Sequence, residues 1–187
     1  MELDNVKLTK QWIERFVIGL RLCPFAHYSF YGNTIYYELS QCSAAKDCLG
    51  DVMKVILKMN AVSQSEISNA FVLFDEILSF DFLLNLKEKI NFILDKGELE
   101  GIFQIVVFHP DFQFADEDFN AHGNFINRSP LPMIHILREN EVTHAIEETE
   151  DVDQIPIRNK AILEKMEIKS ISEIFNDDFM DKIAAYI

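Results

Sequence analysis

Cysteine is scarce in this sequence, and its few cysteines form no recognisable pattern. Cys23, Cys42 and Cys48 are an odd set without a Cys-x-x-Cys pair. A disulfide framework of the kind that holds small secreted domains together is therefore not indicated, and we expect reduced thiols. The N-terminal residues MELDNVKLTKQ show no basic region followed by an apolar stretch, so the sequence predicts a cytoplasmic protein.

Glycine and long apolar runs are also scarce. None of the six glycines forms a Gly-rich phosphate loop or a dinucleotide fingerprint, and no nucleophile elbow is present. The most apolar run, Gly101 to Phe108, is far shorter than the about 20 residues that cross a bilayer. The common phosphate-loop and dinucleotide-binding classes and a membrane-spanning helix are therefore not expected.

Basic residues are few compared with acidic ones. Lys and Arg number 17 against 31 Asp and Glu, which gives a net charge of −14. Such a field repels phosphate backbones and anionic lipids, so we expect neither nucleic acid nor a membrane as a partner. A locally basic pocket could still exist inside an acidic protein.

The composition that is present is that of a globular domain. The chain has 187 residues, of which 49% are hydrophobic, and we treat residues 1–187 as one domain. Apolar residues recur at helical spacing in six segments: 4–21, 44–60, 80–96, about 141–150, 154–166 and 171–186. Runs typical of strands occupy four segments: 34–40, 67–75, 102–108 and 133–138. Their alternation predicts an α/β (or α+β) fold with a mixed, mostly parallel four-stranded sheet and about six helices.

A long segment without clear periodicity, residues 111–132, follows the third predicted strand. Loops of this length in compact domains are usually functional or disordered, and the several phenylalanines here favour order. Ordered loops at strand ends often bind ligands in sheets flanked by helices. We therefore place the candidate site within residues 109–138, with a purely structural cover over a sheet edge as the alternative.

His109 is the first candidate within this segment. It could act as a general base, or as a metal ligand, with Asp111 orienting the ring. Its ring could equally bind a loop carbonyl. Asp116, Asp118 and His122 add further donors without a recognised ligand spacing, so no metal site is predicted.

The tetrapeptide Asn127-Arg128-Ser129-Pro130 is the most distinctive local sequence. An Arg beside turn residues in an acidic protein suggests a site for a carboxylate or phosphate. The alternative is an Arg that ties the loop to backbone carbonyls. Further along, His135 and Arg138 lie three apart on a strand and must face opposite sides, so we expect only one of them beside Arg128.

Cys23 is the candidate outside this segment, and two local structures would give it opposite chemistry. If Pro24 opens a short second helix, the thiolate lies at a stabilising N-terminus. If Cys23 only ends the first helix, it remains an inert thiol.

Three stretches resemble the motifs of a bacterial family known only as a domain of unknown function, number fourteen-fifteen: WIERFVIGLRLCPFA, LEGIFQIVVFHPDFQFA and NFINRSPLPMIHILRE. The resemblance extends through Ile157-Arg158-Asn159 and implies a family-like core at about 4–168, with an extra helix at about 170–187. It implies no activity, cofactor or partner. The family motif positions are Cys23, Pro24, His109, Pro110, Asn124, Asn127, Arg128, Ser129, Pro130, His135, Arg138 and Glu139. Ala121 and His122 depart from the family pattern.

Three functions remain open from the sequence. The first is a protein that binds or acts on a small anionic molecule, held by Arg128, Ser129, Asn124 and Arg138. In a catalytic version, His109 or His135 would move protons and Asn127 would orient the substrate. The second is a non-catalytic binding or regulatory module that uses the same pocket. The third is a thiol enzyme in which Cys23 works with a loop histidine, which requires the two to be close.

Overall fold

Four six-residue strands form the central sheet of the computed structural model, which describes residues 2–74, 78–97, 99–147 and 152–166. The strands are β1 (Ile35–Ser40), β2 (Asn69–Phe74), β3 (Phe103–Phe108) and β4 (Met133–Arg138). Their order across the sheet is β1-β2-β4-β3. The four predicted strands are thus all present in one mixed sheet.

The direction of β4 corrects the predicted topology. β1 and β2 pair in parallel, whereas β4 is antiparallel to both of its neighbours, β2 and β3. The expectation of a mostly parallel sheet was therefore wrong, and the fold is α+β. The physical reason is that the loop after β3 returns the chain from the same end of the sheet, so β4 runs backwards when it inserts between β2 and β3.

Six α-helices lie within the described residues: α1 (Glu2–Gln11), α2 (Ala26–Tyr31), α3 (Ala45–Ala61), α4 (Phe80–Lys96), α5 (Glu139–Glu147) and α6 (Ile155–Glu164). A π-helical segment, Trp12–Ile18, continues α1. The helix predicted at about 170–187 lies outside the described residues. None of the helices in the described part of the chain is both long and apolar enough to span a bilayer.

Helices cover both faces of the sheet, because strand residues alternate between the faces. Val72 and Phe74 of β2 pack with α3 and α4, whereas Phe71 and Leu73 pack with the π-helical segment and α6. α4 shows how local sequence fixes such a helix. Ser79 accepts a hydrogen bond from the Phe82 N–H at its start, and Gly97 follows its last residue.

A disulfide joins Cys42, just after β1, to Cys48 in the first turns of α3. Cys48 is fully buried. The expectation that all cysteines are reduced was therefore wrong for this pair. The sequence pattern could not show it, because the pairing depends on how the turn after β1 brings two residues six apart into contact.

The candidate segment lies at one end of the sheet. The last residues of β2 and β3 adjoin the first of β4 there, since Met133 pairs with both Leu73 and Phe108. The loop between β3 and β4 therefore begins at the carboxyl end of β3 and ends next to the carboxyl end of β2.

Candidate functional site

Asn124 organises the long loop between β3 and β4. It lies in a short 3-10 helix, His122–Ile126, and is fully buried. Its Oδ1 accepts from the Phe114 N–H at 2.9 Å, and its Nδ2 donates to the carbonyls of Asp118 at 2.8 Å and Phe119 at 3.1 Å. One amide side chain thus satisfies three main-chain groups, which explains how a segment without helix or strand periodicity is ordered.

Arg128 lies beneath the same loop with no exposed surface. Its Nε donates to the carbonyl of Phe112 at 3.0 Å, and its Nη2 donates to the carbonyl of Phe119. The guanidinium carbon lies 4.6 Å from the ring centroids of Phe119 and of Phe125. The cation is therefore held by carbonyl dipoles and aromatic faces.

The charge of Arg128 is not paired directly with a carboxylate within the described residues. Its buried Nη1 also has no hydrogen-bond partner there. Burial lowers the pKa of Arg128, and the charge of Asp111 acts in the opposite direction. Arg128 is thus a desolvated cation that retains one unused donor.

His109, at the end of β3, binds main chain through both ring nitrogens. Nε2 lies 2.7 Å from the Leu78 carbonyl, and Nδ1 accepts from the Asp111 N–H at 2.9 Å. Because a carbonyl only accepts and an amide N–H only donates, these partners select the neutral tautomer with the proton on Nε2. The buried ring joins the loop to the segment that precedes α4.

Asn127 and Ser129 also contact main chain. The Asn127 carbonyl accepts from the His109 N–H at 3.3 Å, and its Nδ2 is 3.5 Å from the Val107 carbonyl. Ser129 Oγ donates to the Leu131 carbonyl at 2.6 Å. These side chains shape the return of the chain into β4.

His135 faces the side of the sheet that the π-helical segment covers. Its ring stacks on Phe71 with a centroid distance of 4.0 Å, and its Nε2 is 3.0 Å from Asn69 Oδ1. Burial lowers the pKa of His135 to about 3. The imidazole is therefore neutral at physiological pH.

Arg138 lies at the other end of β4. It donates to the carbonyls of Ile67 at 3.0 Å, Val62 at 3.0 Å and Met59. β4 carries it about 17 Å from Met133, at roughly 3.4 Å per residue. It faces the α3 and α4 side, opposite His135, as their spacing predicted, but it does not join Arg128.

Cys23 lies three residues before the short helix α2, which begins at Ala26 and not at Pro24, so the first of the two alternatives is met only in part. Burial raises the pKa of the Cys23 thiol, and the main-chain N–H groups of Phe25 and Ala26 only partly oppose this effect. No hydrogen bond joins Cys23 to a histidine in the part of the chain that the structure describes. The thiol is therefore protonated at neutral pH.

α6 is the element that sequence reasoning did not connect with the site. Asn159 is buried and donates to the Leu22 carbonyl at 2.7 Å, and Arg158 donates to the Arg21 carbonyl. One residue further, Lys160 Nζ lies 2.8 Å from Glu117 Oε1 in the loop. The Ile157-Arg158-Asn159 stretch was the available signal, because the resemblance to the family extends through it as well as through the motifs that contain Cys23 and Arg128.

The described residues contain no cluster of three or more His, Cys, Asp or Glu side chains placed to hold a metal ion. The polar motif residues instead form a framework for the main chain around one buried arginine. This arrangement defines an α+β domain in which the loop after β3 is fixed by buried polar side chains.

The chain belongs to a family of proteins of unknown function, DUF1415, whose model matches residues 4–173. No curated protein and no solved structure matches the chain.

Proposed function

We propose that this protein binds a small anionic molecule at Arg128 and acts as a binding module. The observation that carries the proposal is the buried Nη1 of Arg128, which has no hydrogen-bond partner among the described residues. An anion with a carboxylate or phosphate group would accept a hydrogen bond from this atom and pair directly with the charge, which no described carboxylate does.

The energetics favour such a ligand. A guanidinium out of water loses hydration that two carbonyls and two ring faces only partly replace. An anion that reaches Arg128 therefore gains a charge-assisted hydrogen bond in a low-dielectric environment, where electrostatic attraction is strong. The burial that lowers the pKa of Arg128 would then be offset by the ligand.

Binding is better supported than catalysis. Both nitrogens of His109 are engaged by main chain, and burial keeps His135 neutral. The Cys23 thiol is protonated because burial raises its pKa. A cation that packs on two aromatic rings, with His109 and His135 already engaged or neutral, suits recognition more than proton transfer.

Access requires a movement of the covering loop, since Arg128 has no exposed surface. The turn around Glu117 is the part that would move, because much of it is exposed and its side-chain tie to α6 is a surface ion pair. Phe119 would move with it and release the carbonyl that now accepts from Nη2. The anion would then take the place of that carbonyl as well as the free donor.

The test is calorimetric titration with inorganic phosphate and with acetate, against a chloride reference of equal ionic strength. Arg128→Lys keeps a cation but loses the planar fork, and we expect about tenfold weaker binding, the value of one charge-assisted hydrogen bond. Arg138→Lys is the matched control, because Arg138 is also bound to carbonyls but lies at the far end of the sheet.

The outcomes are distinct. No binding of either anion by the wild type, or equal weakening in both variants, contradicts the proposal. Circular dichroism shows whether each variant is folded, so that a loss of structure is not mistaken for a loss of the site.

A further inference from the structure

The outer side of β1 is an unpaired sheet edge. β1 pairs only with β2 among the described residues. The Thr34 carbonyl accepts from the Ser68 N–H at 2.9 Å, so it points towards β2. Because this direction alternates along a strand, the main-chain groups of Ile35, Tyr37 and Leu39 point away from β2. They form a row of donors and acceptors available for another strand.

Proline and burial, two of the usual protections against pairing, are missing from this edge. It contains no proline, and its apolar side chains are only half-buried. A groove of about 320 Å³ runs beside it. The groove is lined by Lys10, Phe30, Tyr31, Asn33, Ile35 and Tyr37. It could receive side chains from an added strand.

Charged groups of opposite sign lie along the same edge. Lys58 on α3 is exposed, and its Nζ lies 3.7 Å from the centroid of the Tyr36 ring. It forms no ion pair with a carboxylate in the described part of the chain. Glu38, two residues along β1 and on the same face, accepts a hydrogen bond from the Tyr36 hydroxyl. The edge thus presents an acid and a base close together.

We propose that β1 pairs in antiparallel fashion with β1 of a second copy of this chain, about a two-fold axis at Tyr37. In this register the outward groups of Ile35 face those of the second copy's Leu39. Glu38 then lies opposite the second copy's Tyr36, next to its Lys58. The result is a continuous eight-stranded sheet with two symmetry-related Glu38–Lys58 pairs.

The self-pairing is favoured because the complementary groups belong to one edge. A two-fold interface uses the same patch twice, so an acid and a base in suitable register satisfy each other. Two copies that each carry a net charge of −14 repel one another overall, and local pairing of opposite charges offsets this repulsion at the contact. The proposal does not depend on the anion site, since none of its residues contacts Arg128.

The test measures the dimer dissociation constant by sedimentation velocity for the wild type, Glu38→Lys and Lys58→Glu. Each single variant creates two pairs of like charges across the axis. We expect each variant to weaken the dimer about tenfold. An equimolar mixture of the two variants forms a heterodimer in which both pairs are again of opposite sign. We expect the mixture to regain the wild-type dissociation constant.

Only a contact between copies predicts recovery on mixing, since neither chain changes within itself. A wild type that is monomeric up to millimolar concentration overturns the proposal. So does a dimer that neither variant weakens, or a mixture that stays as weak as its components. Lys58 is exposed on a helix, so Lys58→Glu remains informative if Glu38→Lys lowers the stability of the monomer.

Discussion

Arg128 and Arg138 show how one residue type binds main chain at two distant places. Arg128 donates to carbonyls of the loop after β3, and Arg138 donates to carbonyls at the end of α3 and just before β2. The two arginines differ in the hydrogen-bond donors that are left unused. Burial lowers the pKa of Arg128, and its Nη1 is left without a partner. This residual donor, more than the presence of an arginine, distinguishes a candidate ligand site from a structural tie.

His135 gives a prediction about pH. In an unfolded chain a histidine has a pKa near 6.5, whereas burial lowers the pKa of His135 to about 3. Below pH 6.5 the unfolded chain therefore binds a proton that the folded chain does not. The stability that neutral His135 contributes is fully present above about pH 6.5 and is lost as the pH falls towards 3.

Between about pH 6.5 and 5, neutral His135 makes the free energy of unfolding of the wild type fall by up to roughly 1.4 kcal/mol per pH unit. We expect this part of the fall to be absent in His135→Gln. Urea titrations over this range measure the effect. His144→Gln, at an exposed position on α5, is the matched control for replacing a histidine by glutamine. An unchanged slope in His135→Gln would show that the imidazole is protonated in the folded protein.

At the scale of elements, α6 connects two parts of the chain that are far apart in sequence. Asn159 holds the turn after the π-helical segment, and Lys160 holds the loop after β3. These contacts explain why the stretches resembling family motifs belong together. Asn159 binds the main chain of the first motif, and Asn124 and Arg128 of the third motif bind the main chain of the second.

The Lys160–Glu117 pair is the weakest of these ties, because both side chains are partly solvated. We expect Lys160→Ala to increase amide hydrogen exchange in residues 115–121 while leaving exchange in the sheet unchanged. Lys54→Ala is the control, since it removes the Lys54–Asp51 pair on α3 without contacting the loop. Equal exchange in the loop of both variants would show that Asn124 and Arg128 hold it without help from α6.

At the scale of the whole molecule, a four-stranded sheet is enclosed by two helical layers, and one covalent cross-link adds to the packing. The Cys42–Cys48 bridge spans six residues and joins β1 to α3. A loop of this length corresponds to about 2 kcal/mol of stabilisation through the unfolded chain. The bridge therefore affects global stability, although it constrains only one connection.

We expect dithiothreitol to lower the free energy of unfolding of the wild type by about 2 kcal/mol. Guanidinium denaturation with and without the reductant measures this difference. A variant with Cys42→Ser and Cys48→Ala should be insensitive to the reductant, while Cys23 stays in place in both proteins. No effect of reduction on the wild type would mean that the bridge does not constrain the unfolded chain.

The strands and most helices could be predicted from sequence because their signals are local. β4 and α4 fall at 133–138 and 80–96, as the apolar patterns indicated. The order of the loop after β3 was also predictable from its phenylalanines, of which Phe112 and Phe125 are buried, whereas Phe114 and Phe119 remain partly exposed. The order of the strands in the sheet could not be predicted, because β4 could have paired at an outer edge or between β2 and β3 with the same sequence pattern.

The sequence by itself determined the four strands, most of the helices and the segment in which polar side chains gather, since each follows from short-range periodicity and composition. Only the tertiary structure decided what those side chains bind. His109, Asn124 and Arg128 could have faced a ligand or the main chain, and their partners come from residues up to 31 positions away. Hydrogen-bond partners depend on contacts through space, which local patterns do not encode.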